Sequence, residues 1–267
     1  GDGEMDYAGN LMNDQDYFRA ISLYKRMLFF SDDMETKRLC TVQIARAYLK
    51  SNRYKSSIRY LSRLLNEYDL DGQCLSRANM YLGLNYYGMR VLPMAEDYLN
   101  RAAAHDTTGS AWFLLALLDL ETGDWERSAE TYRQVAQRFG DERVGVLAEE
   151  LSTEVLNGRS IAHRNSYLAA ALSAVIPGSG QVYCQHYYDA LMAFMYVTAF
   201  AFASYATYRY DDKFNDNYVS TACAVSITGL FHIGNIIGAQ RTADYFNHKQ
   251  RQRFLDPIRK KVFSIDY

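Results

Sequence analysis

The chain has 267 residues with 29 basic and 31 acidic side chains and a net charge of -2, a balance that offers no general electrostatic attraction for nucleic acid. Three prolines and 16 glycines are sparse punctuation of the kind long helices leave, so the expected fold class is all-α. The histidines (His105, His163, His186, His232, His248) and the cysteines (Cys40, Cys74, Cys184, Cys223) are scattered, with no metal-ligand spacing, nucleophile–base pair or phosphate loop, so neither an enzyme nor a cofactor is expected.

The first half repeats itself. Asp16-Tyr17-Phe18-Arg19-Ala20-Ile21, followed by Tyr24, Met27 and Leu28, returns as Arg53-Tyr54-Lys55-Ser56-Ser57-Ile58 with Leu61, Leu64 and Leu65. It returns again as Gly123-Asp124-Trp125-Glu126-Arg127-Ser128-Ala129 with Tyr132 and Val135, and in weaker form with Leu82, Gly83, Tyr86, Ala95 and Leu99, where Pro93 suits a first helical turn. Small residues at Ala8, Ala45, Gly83 and Ala116 let the two helices of a unit approach, and those at Ala20, Ser57, Ala95 and Ser128 let the next unit nest. The aromatic at Tyr17, Tyr54 or Trp125 fills the gap between units. This pattern resembles the tetratricopeptide repeat, a helix-turn-helix unit of about 34 residues. The resemblance implies four units over 1–142, near 1–34, 38–71, 76–109 and 109–142. A helix over Asp141–Asn157 caps the stack (143–158 in the domain division) and stops at Gly158.

The same resemblance implies a concave groove lined by the first helix of each unit, where such arrays hold peptides or partner proteins. Carried over by position, the groove presents Gln43, Arg46 and Lys50 from unit two and Arg77, Tyr81 and Tyr87 from unit three. Three cations with aromatics between them suit an acidic or carboxylate-ended peptide, against the plainer reading of a solvated helix face.

Beyond 159 the composition changes. Arg159–Arg164 is polar and basic, Tyr167–Ile176 is an apolar half-helix, and Pro177-Gly178-Ser179-Gly180-Gln181-Val182-Tyr183 follows. Two long segments then carry almost no charge, Ala190–Tyr208 and Tyr218–Gly238, each about long enough to cross a hydrocarbon core of roughly 30 Å. The P-G-x-G-Q-x-Y run before a hydrophobic hairpin resembles the TM2-like domain of uncharacterised bacterial membrane proteins, which implies a membrane domain over 159–245. Within it the motif residues are Pro177, Gly178, Gly180, Gln181 and Tyr183. Gly234 and Gly238, like Ala199 and Ala203, are spaced for close helix contact, and His232 and Asn235 are expected to face the helix interface or a hydrated cavity. Tyr187, Tyr188, Tyr208, Tyr210 and Tyr218 read as interface anchors. Residues 246–267 form a basic C-terminal tail suited to an anionic leaflet.

The reading these features support is a non-catalytic scaffold at a bacterial inner membrane, docking a protein or peptide partner in the groove, with no nucleic acid as partner. The alternative is a component of a transport or membrane-protein insertion machine that uses the glycine-broken helix and His232/Asn235. Topology signals conflict. Two crossings put the repeats and the basic tail on one side. The start at Gly1 in place of methionine, read as removal of an export signal, favours a periplasmic array, a third crossing over Asn165–Cys184, the acidic loop Asp211–Asp216 outside and a cytoplasmic tail.

Overall fold

The computed structural model describes residues 2–140, 142–214 and 217–265; Gly1, Asp141, Asn215, Asp216, Asp266 and Tyr267 lie outside the described residues. The chain divides into two compact units, Gly1–Arg159 together with Ile258–Tyr267, and Ser160–Pro257. Helices account for nearly all of it, and no strand occurs among the described residues.

In the first unit four helix pairs follow one another: α1 (Asp2–Asn13) with α2 (Tyr17–Phe30), α3 (Met34–Lys50) with α4 (Tyr54–Glu67), α5 (Gly72–Gly88) with α6 (Leu92–Ala103), and α7 (Ser110–Thr122) with α8 (Trp125–Arg138). Helix α9 (Arg143–Glu154) and a 3-10 turn over Val155–Ser160 complete the run. Caps set the starts. Asp16, Asp33, Asp71 and Asp124 each accept a backbone N–H from the first turn of α2, α3, α5 and α8, satisfying donors that the helix leaves unpaired. Two of these caps correct the expected register: Asp33 and Asp71 begin the second and third units at Met34 and Gly72, four residues before 38 and 76. Pro93 lies in the first turn of α6, as its sequence position implies.

The small residues close the pairs. Ala8, Ala20, Ala45, Ala95 and Ala116 are fully buried, and a Cβ on Gly83 would lie 2.6 Å from Leu99 Cγ. Ser57 donates its hydroxyl to the Ala45 carbonyl at 2.8 Å, and Ser128 makes the same bond to Ala116 at 2.8 Å. Tyr54 lies on Gly88 and Trp125 on Gly158, where a Cβ would come within 2.5 Å of the ring in each case. Gly158 is therefore held under Trp125 inside the 3-10 turn, and α9 has already ended at Glu154. Helix α7 is apolar on all sides and buries Phe113, Leu114, Leu117 and Leu118, as the central helix of a stack must. Phe113 meets the buried Tyr132 edge to face at 5.0 Å.

The second unit starts with α10 (Ser166–Val175), capped by Asn165. At Gly178, with φ +88°, the chain takes the left-handed conformation that glycine tolerates, and the short α11 (Ser179–Tyr183) follows. The continuous crossing expected over Asn165–Cys184 is thus two short helices, and ten residues of α10 rise only about 15 Å. Then come α12 (Tyr187–Phe214) and α13 (Val219–Val262). Residues 246–262 continue α13, so the basic segment is largely helix; Pro257 marks where the second unit ends, and residues from Ile258 onward pack in the first.

A polar cluster holds the second unit together. Asn235 of α13 accepts the Gly178 N–H at 3.1 Å and the Gln181 amide at 3.2 Å, and donates to the Ser173 carbonyl at 3.0 Å. Ser173 donates its hydroxyl to Gln181 at 2.9 Å and accepts the Gly180 N–H at 3.0 Å. A Cβ on Gly180 would lie 2.0 Å from the Ala169 carbonyl oxygen, and one on Gly178 2.3 Å from that of Ala190. Tyr183 stacks under the Arg164 guanidinium, 4.8 Å from its ring centre. The glycine motif thus serves close backbone approach. Gly234 does not: open space surrounds it, and Gly238 makes only ordinary contact with Gln181. Helices α12 and α13 meet through side chains instead, Ser204 with Thr228 at 2.8 Å and Phe200 stacked on Phe231 at 4.2 Å, leaving a cleft of about 360 Å³ beside Gly234.

Candidate partner-binding groove

The first helices of the repeats form a wall, α3 beside α5 and α7 beside α9. Against it lies the last described stretch of the chain. Ile258 and Val262, one helical turn apart, are fully buried. Arg259 donates from Nε and Nη2 to the two carboxylate oxygens of Glu121 at 2.5 and 2.6 Å, a bidentate pair whose side chains are 13% and 5% exposed. Tyr87 donates its hydroxyl to the same carboxylate at 2.6 Å, and Arg90 stands 3.8 Å away. Burial alone would push the Glu121 carboxyl up, but the bonds from Arg259 and Tyr87 outweigh it and hold the group below the usual carboxylate range. The Tyr87 phenol is pushed up, first by burial and then by its bond to that carboxylate.

Further along, Lys261 reaches Glu150 at 2.8 Å and Glu154 at 2.6 Å on α9, and Arg143 donates to the Ser264 carbonyl at 3.3 Å. Phe263 packs on the Tyr87 ring with centres 5.6 Å apart. Phe263 and Ile265 then line one side of a cavity of about 430 Å³ whose other walls include Arg46 and Lys50 of α3, Tyr54 of α4, and Tyr81, Leu84 and Tyr87 of α5. The groove is graded in charge: three carboxylates from α7 and α9 at one end, two cations from α3 at the other, and tyrosines between.

These helix pairs, with a small residue bonded or packed at each crossing, carry a family signature. Residues 110–141 match the tetratricopeptide repeat family. The match covers α7 and α8, whose Ser128–Ala116 bond has its counterpart in Ser57–Ala45 of α3 and α4. No curated protein matches the chain. A tetratricopeptide repeat is typically an interaction scaffold, and its usual readout is the binding of a protein partner.

Of the positions expected in the groove, Arg46, Lys50, Tyr81 and Tyr87 come together around the cavity. Gln43 is half-buried on α3 and is not part of that lining. Arg77, a turn before Tyr81 on α5, is exposed and faces a separate pocket of about 180 Å³ with His105 and Asp106. The expected set of three cations is therefore two. Sequence reasoning missed Glu121, Glu150 and Glu154, which are ordinary surface acids by any local pattern, and missed that Arg259, Lys261 and Phe263 pack on the repeats. In the second unit His232 sits on α13 with Nε2 3.1 Å from the Ala174 carbonyl, and Asn235 is fully engaged in the cluster around Gly178.

Proposed function

We propose that the protein is a membrane-anchored docking platform, in which the repeat groove takes a protein partner and α12 with α13 forms the anchor at a bacterial inner membrane. One observation carries the anchor: in the most apolar window of each of these helices only 17% and 11% of the residues are buried. A core helix of a water-soluble protein is buried; apolar helices of this length with bare flanks require a solvent other than water. Tyr187, Tyr188, Tyr208, Tyr210 and Tyr218 are exposed near the helix ends, which supports their reading as interface anchors.

We further infer two crossings, with repeats and tail on the same side. Contacts of Arg259 and Lys261 with Glu121, Glu150 and Glu154 are incompatible with a membrane between them, and α10 is too short to supply a third crossing. This replaces the arrangement with a periplasmic array and a cytoplasmic tail. The transport reading needs a hydrated site at His232 and Asn235, whereas the amide of Asn235 is engaged in holding Gly178, Gln181 and Ser173.

The test uses the full chain with its native cysteines replaced by serine and single cysteines at Ser22 or Ser264, both exposed. The chain should stay in the membrane pellet after an alkaline carbonate wash, and an impermeant maleimide should label both sites or neither in intact cells. Release by carbonate, or labelling of only one site, overturns the arrangement.

A further inference from the structure

Residues 258–265 occupy the surface on which a repeat array receives its ligand, and they do so with a complete set of contacts. Buried apolar side chains (Ile258, Val262), a bidentate buried ion pair (Arg259–Glu121), a second cation between two carboxylates (Lys261) and an aromatic on an aromatic (Phe263–Tyr87) are what a recognition segment brings to a groove. The groove's grading from acidic to basic fixes the direction of such a segment. Cations come first and the aromatic follows, because Glu121, Glu150 and Glu154 stand at the end where Arg259 and Lys261 enter.

We propose that the groove recognises protein segments of the pattern Arg-x-Lys-x-Phe, and that residues 258–265 are its resident intramolecular ligand, which a partner carrying the same pattern must displace. The proposal rests on the docking reading above and names the ligand chemistry of that site. It replaces the acidic or carboxylate-ended peptide suggested by Arg46, Lys50 and Arg77, since the deepest ionic contact is made by an acid of the groove with a base of the ligand. Covalent attachment makes docking of the resident segment an intramolecular event. A free segment making the same contacts therefore competes poorly until the resident one is loosened, and a partner succeeds by exceeding it.

The experiment uses the full chain in detergent micelles and a fluorescein-labelled peptide of residues 258–267, read by anisotropy. The loosened chain carries Arg259→Glu with Phe263→Ala, and should bind the peptide at least tenfold more tightly than the wild type. Adding Glu121→Gln to the loosened chain should return affinity to the wild-type level or below, and a peptide with Phe263→Ala should bind the loosened chain at least tenfold more weakly than the native peptide. Equal binding to wild-type and loosened chains, or binding indifferent to the peptide's phenylalanine, overturns the proposal. If Glu121→Gln disturbs folding by circular dichroism, the peptide comparison on the loosened chain decides alone. A cysteine pair at Glu150 and Lys261 adds a check: crosslinking within one chain supports the resident assignment, and crosslinking only between two copies overturns it. The docking reading is separated by a photo-crosslinker at Lys50 in cells. A specific protein adduct there, with no effect of the tail variants on peptide binding, leaves the platform standing and removes the resident ligand.

Discussion

The two units sort the same residue types in opposite ways. In the repeats the largest inaccessible side chains are apolar or aromatic, among them Phe113, Leu114, Leu117 and Tyr132. In the second unit Phe202, Leu230 and Ile233 are outside, at 72%, 69% and 54% exposure, and the buried residues include a polar set, Gln181, Asn235 and Ser173, beside a cluster of small side chains, Ala169, Cys184, Ala239 and Ala243. The contrast supports the proposed anchor, since water and hydrocarbon ask different things of a fold. Where water surrounds the fold, burying carbon is the gain; where hydrocarbon surrounds it, satisfying every polar group inside is the requirement.

The largest effect should come from breaking the inner polar set. Asn235→Leu leaves the Gly178 N–H and the Ser173 carbonyl without their side-chain partner and the Gln181 amide with only the backbone carbonyl of residue 235, and at about 1–3 kcal/mol for each unsatisfied buried group the expected loss is about 4 kcal/mol. Thermal unfolding of the purified chain in detergent should show it as loss of the second unit's helical signal at low temperature, and a variant that melts like the wild type would refute the role given to Asn235. His232→Leu removes a side chain hydrogen-bonded to the Ala174 carbonyl and leaves the Asn235 cluster in place, so it is the change that separates a scaffold from a transport site.

A matched pair sharpens the contrast. Leu230 and Phe18 are almost equally exposed, at 69% and 74%. Leu230→Lys should hinder membrane insertion by about 3 kcal/mol, the cost of a lysine at a membrane-helix centre, whereas Phe18→Lys should stay within about 0.5 kcal/mol, as surface changes in water do. Measured as the membrane-inserted fraction on expression for the first and as melting temperature for the second, equal tolerance of both would mean that α13 is wetted by water.

The smallest effect is one of titration, and it belongs to the repeats. Burial pushes the Asp119 carboxyl up to about 6, with Arg127 working against it and Asp124 and Glu96 adding to it. A folded value above the unfolded one means that the proton is held more tightly in the native state. Its contribution is full below about pH 4 and is lost as pH rises through 6. Wild type minus Asp119→Asn, followed by thermal melts from pH 4 to 7, should fall by about 2 kcal/mol over that interval; a flat difference would show Asp119 to be charged throughout.

Much of this was readable without coordinates. The repeat period, the small residues at the crossings, the aromatics Tyr54 and Trp125 between units, and the two apolar spans all follow from spacing within one or two helices, which is the range over which periodicity speaks. The unit starts were also within reach, since Asp33 and Asp71 are N-cap residues in plain sight. What escaped has a common cause. The partners of Arg259 and Lys261 lie 138, 111 and 107 residues away, and no local pattern distinguishes Glu121 from any other helix-end acid. Gly234 misled in the other direction: its spacing from Gly238 matches a packing motif, yet the bulk of Phe200 and Phe231 keeps the helices apart there.

The two ionic holds on residues 258–265 differ in how far water reaches them. Arg259 and Glu121 are 13% and 5% exposed, while Lys261, Glu150 and Glu154 are 36%, 58% and 29% exposed. Dissolved ions screen exposed charges over about 8 Å at physiological ionic strength and about 3 Å at 1 M, and reach buried pairs much less. On the resident-ligand proposal, rising ionic strength therefore weakens the Lys261 hold before the Arg259 hold, and the segment is expected to loosen at Lys261 while Arg259 keeps it tethered.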